Sequence, residues 1–89
     1  MNRNYVKFFY STDKRGRVRI PKQLVDSMGV QPGQSVFVRN GRIFKDEVKD
    51  SRKITADRYN NVLFKASQNA GEEFRFRMGR KHTVLFDNR

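Results

Sequence analysis

The fold prediction starts from one stretch of sequence, Arg15-Gly16-Arg17-Val18-Arg19-Ile20-Pro21-Lys22-Gln23-Leu24 (residues 15–24). Residues 17–20 alternate charged and apolar side chains with a period of two, which is typical of a half-buried β-strand. Pro21 then favours the first turn of a helix, because its fixed φ suits that position and its missing N–H would have no partner there. The stretch therefore predicts a strand that passes directly into a helix.

The residues after Pro21 predict a short helix over residues 21–28. Leu24, Val25 and Met28 fall on one helical face, which is the pattern of a helix packed on a core. Gly29 follows, as expected of a left-handed residue that ends a helix. The helix is therefore predicted to be only about two turns long.

Strands are predicted on both sides of this helix. Residues 5–10 are aromatic and β-branched, and a polar turn joins them to residues 17–20 in a β-hairpin with arginines on one face. Residues 35–39 and 42–44 are predicted to form a second hairpin, because Asn40-Gly41 is a strong two-residue turn signal. The first half therefore contains a hairpin, a helix and a hairpin.

The second half is predicted to repeat this order of elements, with a helix from Thr55 to about Ser67. Tyr59, Val62, Leu63 and Ala66 follow one another at helical spacing and support that helix. We therefore predict one domain over residues 1–89 that contains two diverged half-repeats, 5–44 and 43–86. The other elements predicted for the second half are strands at 43–48, 52–54, 74–77 and 82–86, and the matching residues are Ile20 with Ile54, Gly33 with Gly71, and Gly41-Arg42 with Gly79-Arg80.

The composition points to a small globular protein that meets a polyanion. Leu, Ile, Val and Phe supply 23 of the 89 residues, enough for one core. The formal net charge is +11, the sign expected of a nucleic-acid partner. Without cysteine and with a single histidine, the chain has no thiolate zinc site, and we predict no metal and no cofactor. No carboxylate motif predicts catalysis, so a non-enzymatic protein is expected.

Localisation is predicted from the apolar runs. They are two or three residues long, far short of the roughly 20 that a membrane-spanning helix needs. No apolar signal core is present near the N-terminus. We therefore expect a cytoplasmic, nucleoid-associated protein without a membrane partner.

The first half resembles the SpoVT/AbrB swapped-hairpin family over about residues 10–45. The resemblance is carried by residues 15–24 together with Met28-Gly29-Val30, Pro32-Gly33-Gln34, and the second hairpin with Asn40-Gly41-Arg42-Ile43. It implies a mainly β chain with short helices, an AbrB-like swapped-hairpin β-barrel in which two copies of the unit interlock by exchanging hairpins. It also implies that the basic first hairpin faces DNA, which selects Lys14, Arg15, Arg17 and Arg19.

The chain departs from the pattern of that family at two places. Regulator members often carry a basic pair just after the helix leucine, where this chain has Val25 and Asp26. They also carry basic residues before the first turn, where this chain has Tyr10 and Ser11. If 43–86 is a second copy, it gives an asymmetric, pseudo-twofold binding face, and the residues predicted to match the first basic hairpin are Lys49, Arg52 and Lys53.

Two further cations are candidates for the nucleic-acid site. Lys22 lies near the helix start, where a positive charge is unfavourable to the helix dipole, so a binding role competes with a structural one. Arg42 follows the Asn40-Gly41 turn, where a polar loop and a DNA contact are both open. Arg75 and Arg77 share one strand face, with Phe74 and Phe76 on the other. The two arginines are interpreted either as ordinary exposed residues of a strand whose phenylalanines enter the core, or as a second basic ridge.

The predicted function is a transcription regulator or architectural protein that holds duplex phosphates through the basic hairpin. The chain is expected to act as a homodimer, or as a pseudo-dimeric monomer if the repeat is real. The alternative is a protein-interaction module, such as an antitoxin or an inhibitor of a regulatory protein. A third reading, single-stranded nucleic acid, would use Tyr5, Phe9 and Tyr10 for stacking.

Overall fold

The computed structural model describes residues 7–89, and Tyr5 and Val6 of the predicted first strand lie outside the described residues. The described part is mainly β, as predicted, with one α-helix and one short 3₁₀ helix. The elements are β1 (Phe8–Ser11), β2 (Arg17–Arg19), α1 (Lys22–Met28), β3 (Ser35–Arg39), β4 (Arg42–Phe44), β5 (Arg52–Thr55), β6 (Leu63–Lys65), β7 (Glu73–Met78), the 3₁₀ helix (Arg80–His82) and β8 (Val84–Asn88).

The predicted helix α1 is confirmed and ends as its sequence requires. Leu24, Val25 and Met28 are buried, so the apolar face packs on the core. Gly29 adopts a left-handed φ of 79° and donates its N–H to the Asp26 carbonyl. The mainly β fold with a short helix that the first half implied is therefore confirmed. The predicted hairpin of residues 5–10 with residues 17–20 is wrong, because β1 pairs with β7 and β2 pairs with β6.

Within residues 7–89 the strands form two antiparallel sheets that enclose one core. Six strands pair in the order β1-β7-β8-β4-β3-β5, and β2 pairs with β6 in a separate ribbon. The ribbon turns Val18 and Phe64 toward the sheet, where they join a cluster with Val36, Phe76 and Val84. The outer face of the ribbon and the outer face of the sheet therefore lie on opposite sides of this core.

The strand pairing is unchanged when β1 to β4 are exchanged with β5 to β8. The exchange converts the β1–β7 pair into the β5–β3 pair and the β3–β4 hairpin into the β7–β8 hairpin. It leaves the β2–β6 and β4–β8 pairs unchanged. The registers agree, because Ser11 faces Glu73 as Thr55 faces Ser35. This pairing has the symmetry of a twofold axis that passes between the halves of one chain.

Backbone hydrogen bonds outside the strands repeat in the same way. Thr12 donates its N–H to Glu72 and accepts the N–H of Gly71, while Ala56 donates to Gln34 and accepts from Gly33. These four bonds are 2.8–3.1 Å long. Residues 8–20 therefore correspond to 52–64, and Gly33 corresponds to Gly71.

The predicted helix from Thr55 to Ser67 is wrong, because this segment contains a turn and strand β6. The Asp57 carboxylate accepts the backbone N–H groups of Tyr59 and Asn61, and Asn60 adopts a left-handed φ of 63°. A side chain that captures backbone donors competes with helical hydrogen bonds. The linking segments also differ, because residues 21–32 provide room for α1 whereas residues 65–70 are too few for a matching helix.

Two of the residue matches expected from sequence are also wrong. The register pairs Ile54 with Val36 as it pairs Tyr10 with Phe74, so Ile54 corresponds to Tyr10 and not to Ile20. Arg42 corresponds to Leu85, because the loop of the second hairpin is longer than the Asn40-Gly41 turn. The linking segments and hairpin loops of the two halves differ in length. Identical residues at a similar spacing are therefore not structurally equivalent at these two places.

Candidate nucleic-acid interface

The outer face of the β2–β6 ribbon is strongly basic. Arg17 lies opposite Lys65, and Arg19 lies opposite Leu63. All four side chains are exposed, because the residues between them in sequence, Val18 and Phe64, point into the core. We call Arg17, Arg19, Leu63 and Lys65 the basic ribbon.

The turn at residues 13–16 positions the first of these arginines. The Asp13 Oδ1 atom accepts the N–H groups of Arg15 and Arg17, both at 2.9 Å. The Arg17 Nε atom donates to Asp13 Oδ2 at 3.1 Å, so this guanidinium is tethered at its base. The backbone hydrogen bond from Arg17, reinforced by that from Arg15, lowers the pKa of the Asp13 carboxyl.

Arg19 is held in a different way, against an aromatic ring. Its Cζ atom lies 5.5 Å from the centre of the Tyr10 ring, within cation–π range. Arg17 and Arg19 open onto a shared hollow of about 530 Å³ beside β1, which Phe9 and Leu63 also line. The hollow therefore combines two cations with exposed apolar surface.

Arg52 belongs to this interface through its contacts with β6. Its Nη2 atom donates to the Lys65 carbonyl at 2.7 Å, and its Cζ atom lies 5.8 Å from the centre of the Phe64 ring. Arg52 therefore adds a fourth cation at the end of the basic ribbon where Arg17 faces Lys65.

Other predicted cations lie around the ends of the ribbon. Lys14 and Arg15 are exposed in the turn that leads into β2. Lys22 is exposed at the first position of α1, and its charge contributes to the lowered pKa of Asp57, in the turn that leads into β6. The larger cause of that lowered pKa is the hydrogen bond from the backbone of Asn61.

The structure separates three predicted residues from the ribbon. Arg42 and Lys53 lie on the outer face of the six-stranded sheet, on the far side of the core. Lys49 lies exposed in the turn before β5, where its carbonyl accepts a hydrogen bond from Arg39 at 3.2 Å. The expected match of Lys49, Arg52 and Lys53 with the first basic hairpin is wrong, since the register aligns Arg52 and Lys53 with Phe8 and Phe9.

The counterpart of the first turn is the turn at residues 57–60. Asp57 Oδ1 accepts the N–H groups of Tyr59 and Asn61 as Asp13 accepts those of Arg15 and Arg17. Tyr59 is 60% exposed, and the Cζ atom of Arg58 lies 4.9 Å from its ring centre. At the positions of Arg15, Arg17 and Arg19, the second half therefore has Tyr59, Asn61 and Leu63.

The predicted helix from Thr55 to about Ser67 concealed the second turn, Leu63 and Lys65. A usable signal was present, since Asp-x-x-Asn at 57–60 repeats Asp-x-x-Gly at 13–16. Asn is the residue that most readily replaces Gly at a left-handed position. The alternation of Leu63, Phe64 and Lys65 would then have predicted β6.

Other functional features are limited in the part of the chain that the structure describes. Of the proposed stacking residues, Phe9 is 44% exposed under the Arg89 guanidinium, and Tyr10 is partly buried. Residues 7–89 contain no cluster of three or more potential metal-ligating side chains. Within the same range no helix has the length and apolar character to cross a membrane.

Comparison with known proteins agrees with the first half of the fold. The model of a bacterial antitoxin family, described as "Antidote-toxin recognition MazE", matches residues 11–44. The comparisons with curated proteins and with solved structures gave no match. The matched range covers β2, α1, β3 and β4, the elements in which the resemblance was found. Residues 11–44 are therefore similar to this family, in the same range as the SpoVT/AbrB resemblance.

Proposed function

We propose that this protein binds duplex DNA through the basic ribbon and its two flanking turns, as a non-enzymatic transcription regulator or architectural protein. The observation that carries the proposal is the exposed set of Arg17, Arg19 and Lys65 on adjacent strands, extended by Arg52. Among the described residues Arg17 alone of these cations has a carboxylate partner. A nucleoid-associated protein of the cytoplasm would fit this role.

The spacing of these cations suits a phosphate backbone. Arg17 and Arg19 leave the same face of β2 about 7 Å apart, roughly the distance between successive phosphates of one strand. Each lysine or arginine that neutralises a phosphate releases condensed counterions. Affinity is therefore expected to fall steeply as the salt concentration rises.

We further infer that one chain supplies both half-repeats of the binding face, in place of two identical copies. The symmetric pairing of β1 to β4 with β5 to β8 supports this assignment. The two half-faces are unequal, because Asn61 and Leu63 stand where Arg17 and Arg19 stand in the first half. The first half would hold phosphates, and the second half would contribute fewer ionic contacts.

The experiment is a fluorescence-anisotropy titration of a labelled generic duplex between about 50 and 200 mM salt. Wild-type protein is compared with Arg17→Ala/Arg19→Ala and with a matched control, Lys7→Ala/Lys45→Ala, which removes two exposed charges that lie outside the strands. The ribbon variant should bind severalfold more weakly, and its log–log salt slope should be smaller by about 1.8. The control should retain most of the wild-type slope.

The alternative is the protein-interaction module, and the antitoxin description of the matched family is the observation that favours it. In that case the folded wild-type protein would not bind the duplex even at the lowest salt concentration. Equal slopes for the wild-type protein and a folded ribbon variant would instead remove the ribbon from the DNA site.

A further inference from the structure

The outer face of the six-stranded sheet carries a row of arginines that the proposed DNA interface does not use. Arg39 of β3 pairs with Arg42 of β4, Arg42 pairs with Leu85 of β8, and Leu85 pairs with Arg77 of β7. The row thus crosses four adjacent strands, or about 14 Å at the usual strand separation. We call these four residues the sheet row.

Repulsion within the sheet row lowers the stability of the folded protein. Like charges directly opposite on neighbouring strands repel each other, and Arg39 and Arg42 form such a pair. Among residues 7–89 the carboxylates on this face are already engaged, because Asp87 pairs with Arg75 at 2.6 Å and Glu73 pairs with Arg89 at 2.9 Å. The charges of the sheet row are therefore not neutralised by ion pairs in the described part of the chain.

Arg77 acts on a carboxylate of the neighbouring strand. Asp87 has a lowered pKa chiefly because of its hydrogen bonds from Arg75, and Arg77 contributes to that shift through space. Arg77 nevertheless forms no ion pair within 4.0 Å in the described residues. Its guanidinium therefore remains free to meet an external anion.

The surroundings of the row add positive charge and apolar surface. Arg80 and Lys81 share a hollow of about 670 Å³ with Arg42 and Arg77. Phe44 and Leu85, both partly exposed, also line it. The result is a broad cationic surface, unlike the convergent cage of donors that a single small phosphate would need.

The alternation along each strand places this surface opposite the basic ribbon. Val38 and Ile43 alternate with Arg39 and Arg42 and point into the core that the ribbon covers from the other side. Arg39, at one end of the row, lines a hollow together with Arg52 and Lys65 and so adjoins the ribbon. Arg42 and Arg77 line the separate hollow with Arg80 and Lys81, and a ligand there does not obstruct the ribbon.

We propose that the sheet row, with Arg80 and Lys81, is a second anion-binding surface that takes the phosphate backbone of a second duplex segment. One chain then bridges two duplexes, with the ribbon on one and the sheet row on the other. The bridging role rests on the proposed function, whereas anion binding at the sheet row does not. A row of cations matches a backbone of regularly spaced phosphates, which is why a duplex is assigned.

The test is a bridging assay with three proteins. A biotinylated duplex is immobilised on streptavidin beads, and retention of a second, fluorescent duplex of the same sequence is measured as protein is added. The proteins are the wild type, Arg42→Ser/Arg77→Ser and the ribbon variant Arg17→Ala/Arg19→Ala. Anisotropy with trace duplex reports single-duplex binding for each, and light scattering checks that each remains in one oligomeric state.

The wild type should retain the fluorescent duplex, and Arg42→Ser/Arg77→Ser should retain severalfold less while its single-duplex affinity stays within a few-fold of wild type. Wild-type protein that binds one duplex but does not bridge would overturn the second surface and leave the ribbon intact. Bridging undiminished in Arg42→Ser/Arg77→Ser would do the same. If duplex anisotropy does not change when wild-type protein is added, both DNA binding by the ribbon and the bridging role are contradicted.

Discussion

Asp13 and Asp57 hold the same position in two turns that are built alike. Each Oδ1 atom accepts the backbone N–H groups two and four residues further on, at distances of 2.8–2.9 Å. Each turn also contains a left-handed residue three positions after the aspartate, Gly16 in one and Asn60 in the other. The two turns diverge in the side chains that they present to solvent and in Asn60, whose buried side chain donates to the Val30 carbonyl.

These carboxylates predict a loss of stability in acid. The backbone hydrogen bonds from Arg17 and Asn61 are the main reason that the pKa values of Asp13 and Asp57 are lowered. The stability they confer is present above the unfolded-state pKa of about 3.9 and is lost as pH falls through the lower folded-state values. Thermal melts followed by circular dichroism should show Tm falling below about pH 4.

A matched variant separates this effect from general acid denaturation. The Asp57→Asn side chain keeps an oxygen acceptor but loses the charge, so its Tm should depend less on pH over the same range. An identical acid profile for Asp57→Asn and wild type would show that the Asp57 charge is not responsible.

Substitution of Gly16 by alanine should be strongly destabilising. The residue has a φ of +76°, and a Cβ atom there would lie 1.9 Å from the Ser67 carbonyl oxygen. The Gly16 carbonyl also accepts the N–H groups of Ala66 and Ser67, so the backbone cannot move apart without losing both bonds. We expect Gly16→Ala to lose about 3 kcal/mol or more in urea unfolding, since strain and a clash add.

Gly33→Ala is the matched control for that prediction. Gly33 has a similar φ of +85°, but nothing lies within 4 Å of the added Cβ atom. Only the left-handed strain of about 1–2 kcal/mol should then remain. Equal losses in the two variants would contradict the close approach of Ser67 to Gly16.

The chain is predicted to be a monomer of 10.6 kDa in solution. The β1–β7 and β3–β5 pairs, which connect the two halves, both form within one chain. Multi-angle light scattering across a range of protein concentrations measures this mass directly. A constant mass of twice this value would instead support the homodimer.

The unequal halves of the interface predict a gain of affinity. Asn61 corresponds to Arg17, so Asn61→Arg should place a guanidinium beside Asp57 as Arg17 lies beside Asp13. DNA binding should tighten, and the log–log salt slope should become steeper by about 0.9. Asp26→Asn, which raises the net charge by the same amount at an exposed position of α1, should change the slope less. Equal effects would indicate that net charge alone controls binding.

Several features of the first half were predictable because they rest on local interactions. Pro21, the apolar face of α1 and Gly29 specified where the helix begins and ends, and Asn40-Gly41 specified a two-residue hairpin. The alternation of Arg17 to Ile20 likewise predicted which side chains are exposed. Each of these signals acts within a few residues of backbone, so the sequence contains it directly.

The second half was predicted less well because two local patterns competed there. Tyr59, Val62, Leu63 and Ala66 have helical spacing, yet Val62 is buried while Tyr59 is largely exposed. The Asp57 side chain takes the backbone donors that a helix would use, and Ala56 bonds to Gln34 across the fold. A spacing pattern alone does not report such competition.

By itself the sequence determined the β-rich class, the short helix, the SpoVT/AbrB-like segment and the exposed arginines of β2, because each depends on neighbouring residues. Tertiary structure alone decided that Lys65 and Arg52 join Arg17, and that Arg39, Arg42 and Arg77 align on the opposite face. These groupings depend on strand register between segments far apart in the chain. Register is set by which side chains the shared core buries, and that choice is made only when the whole sheet and ribbon close around it.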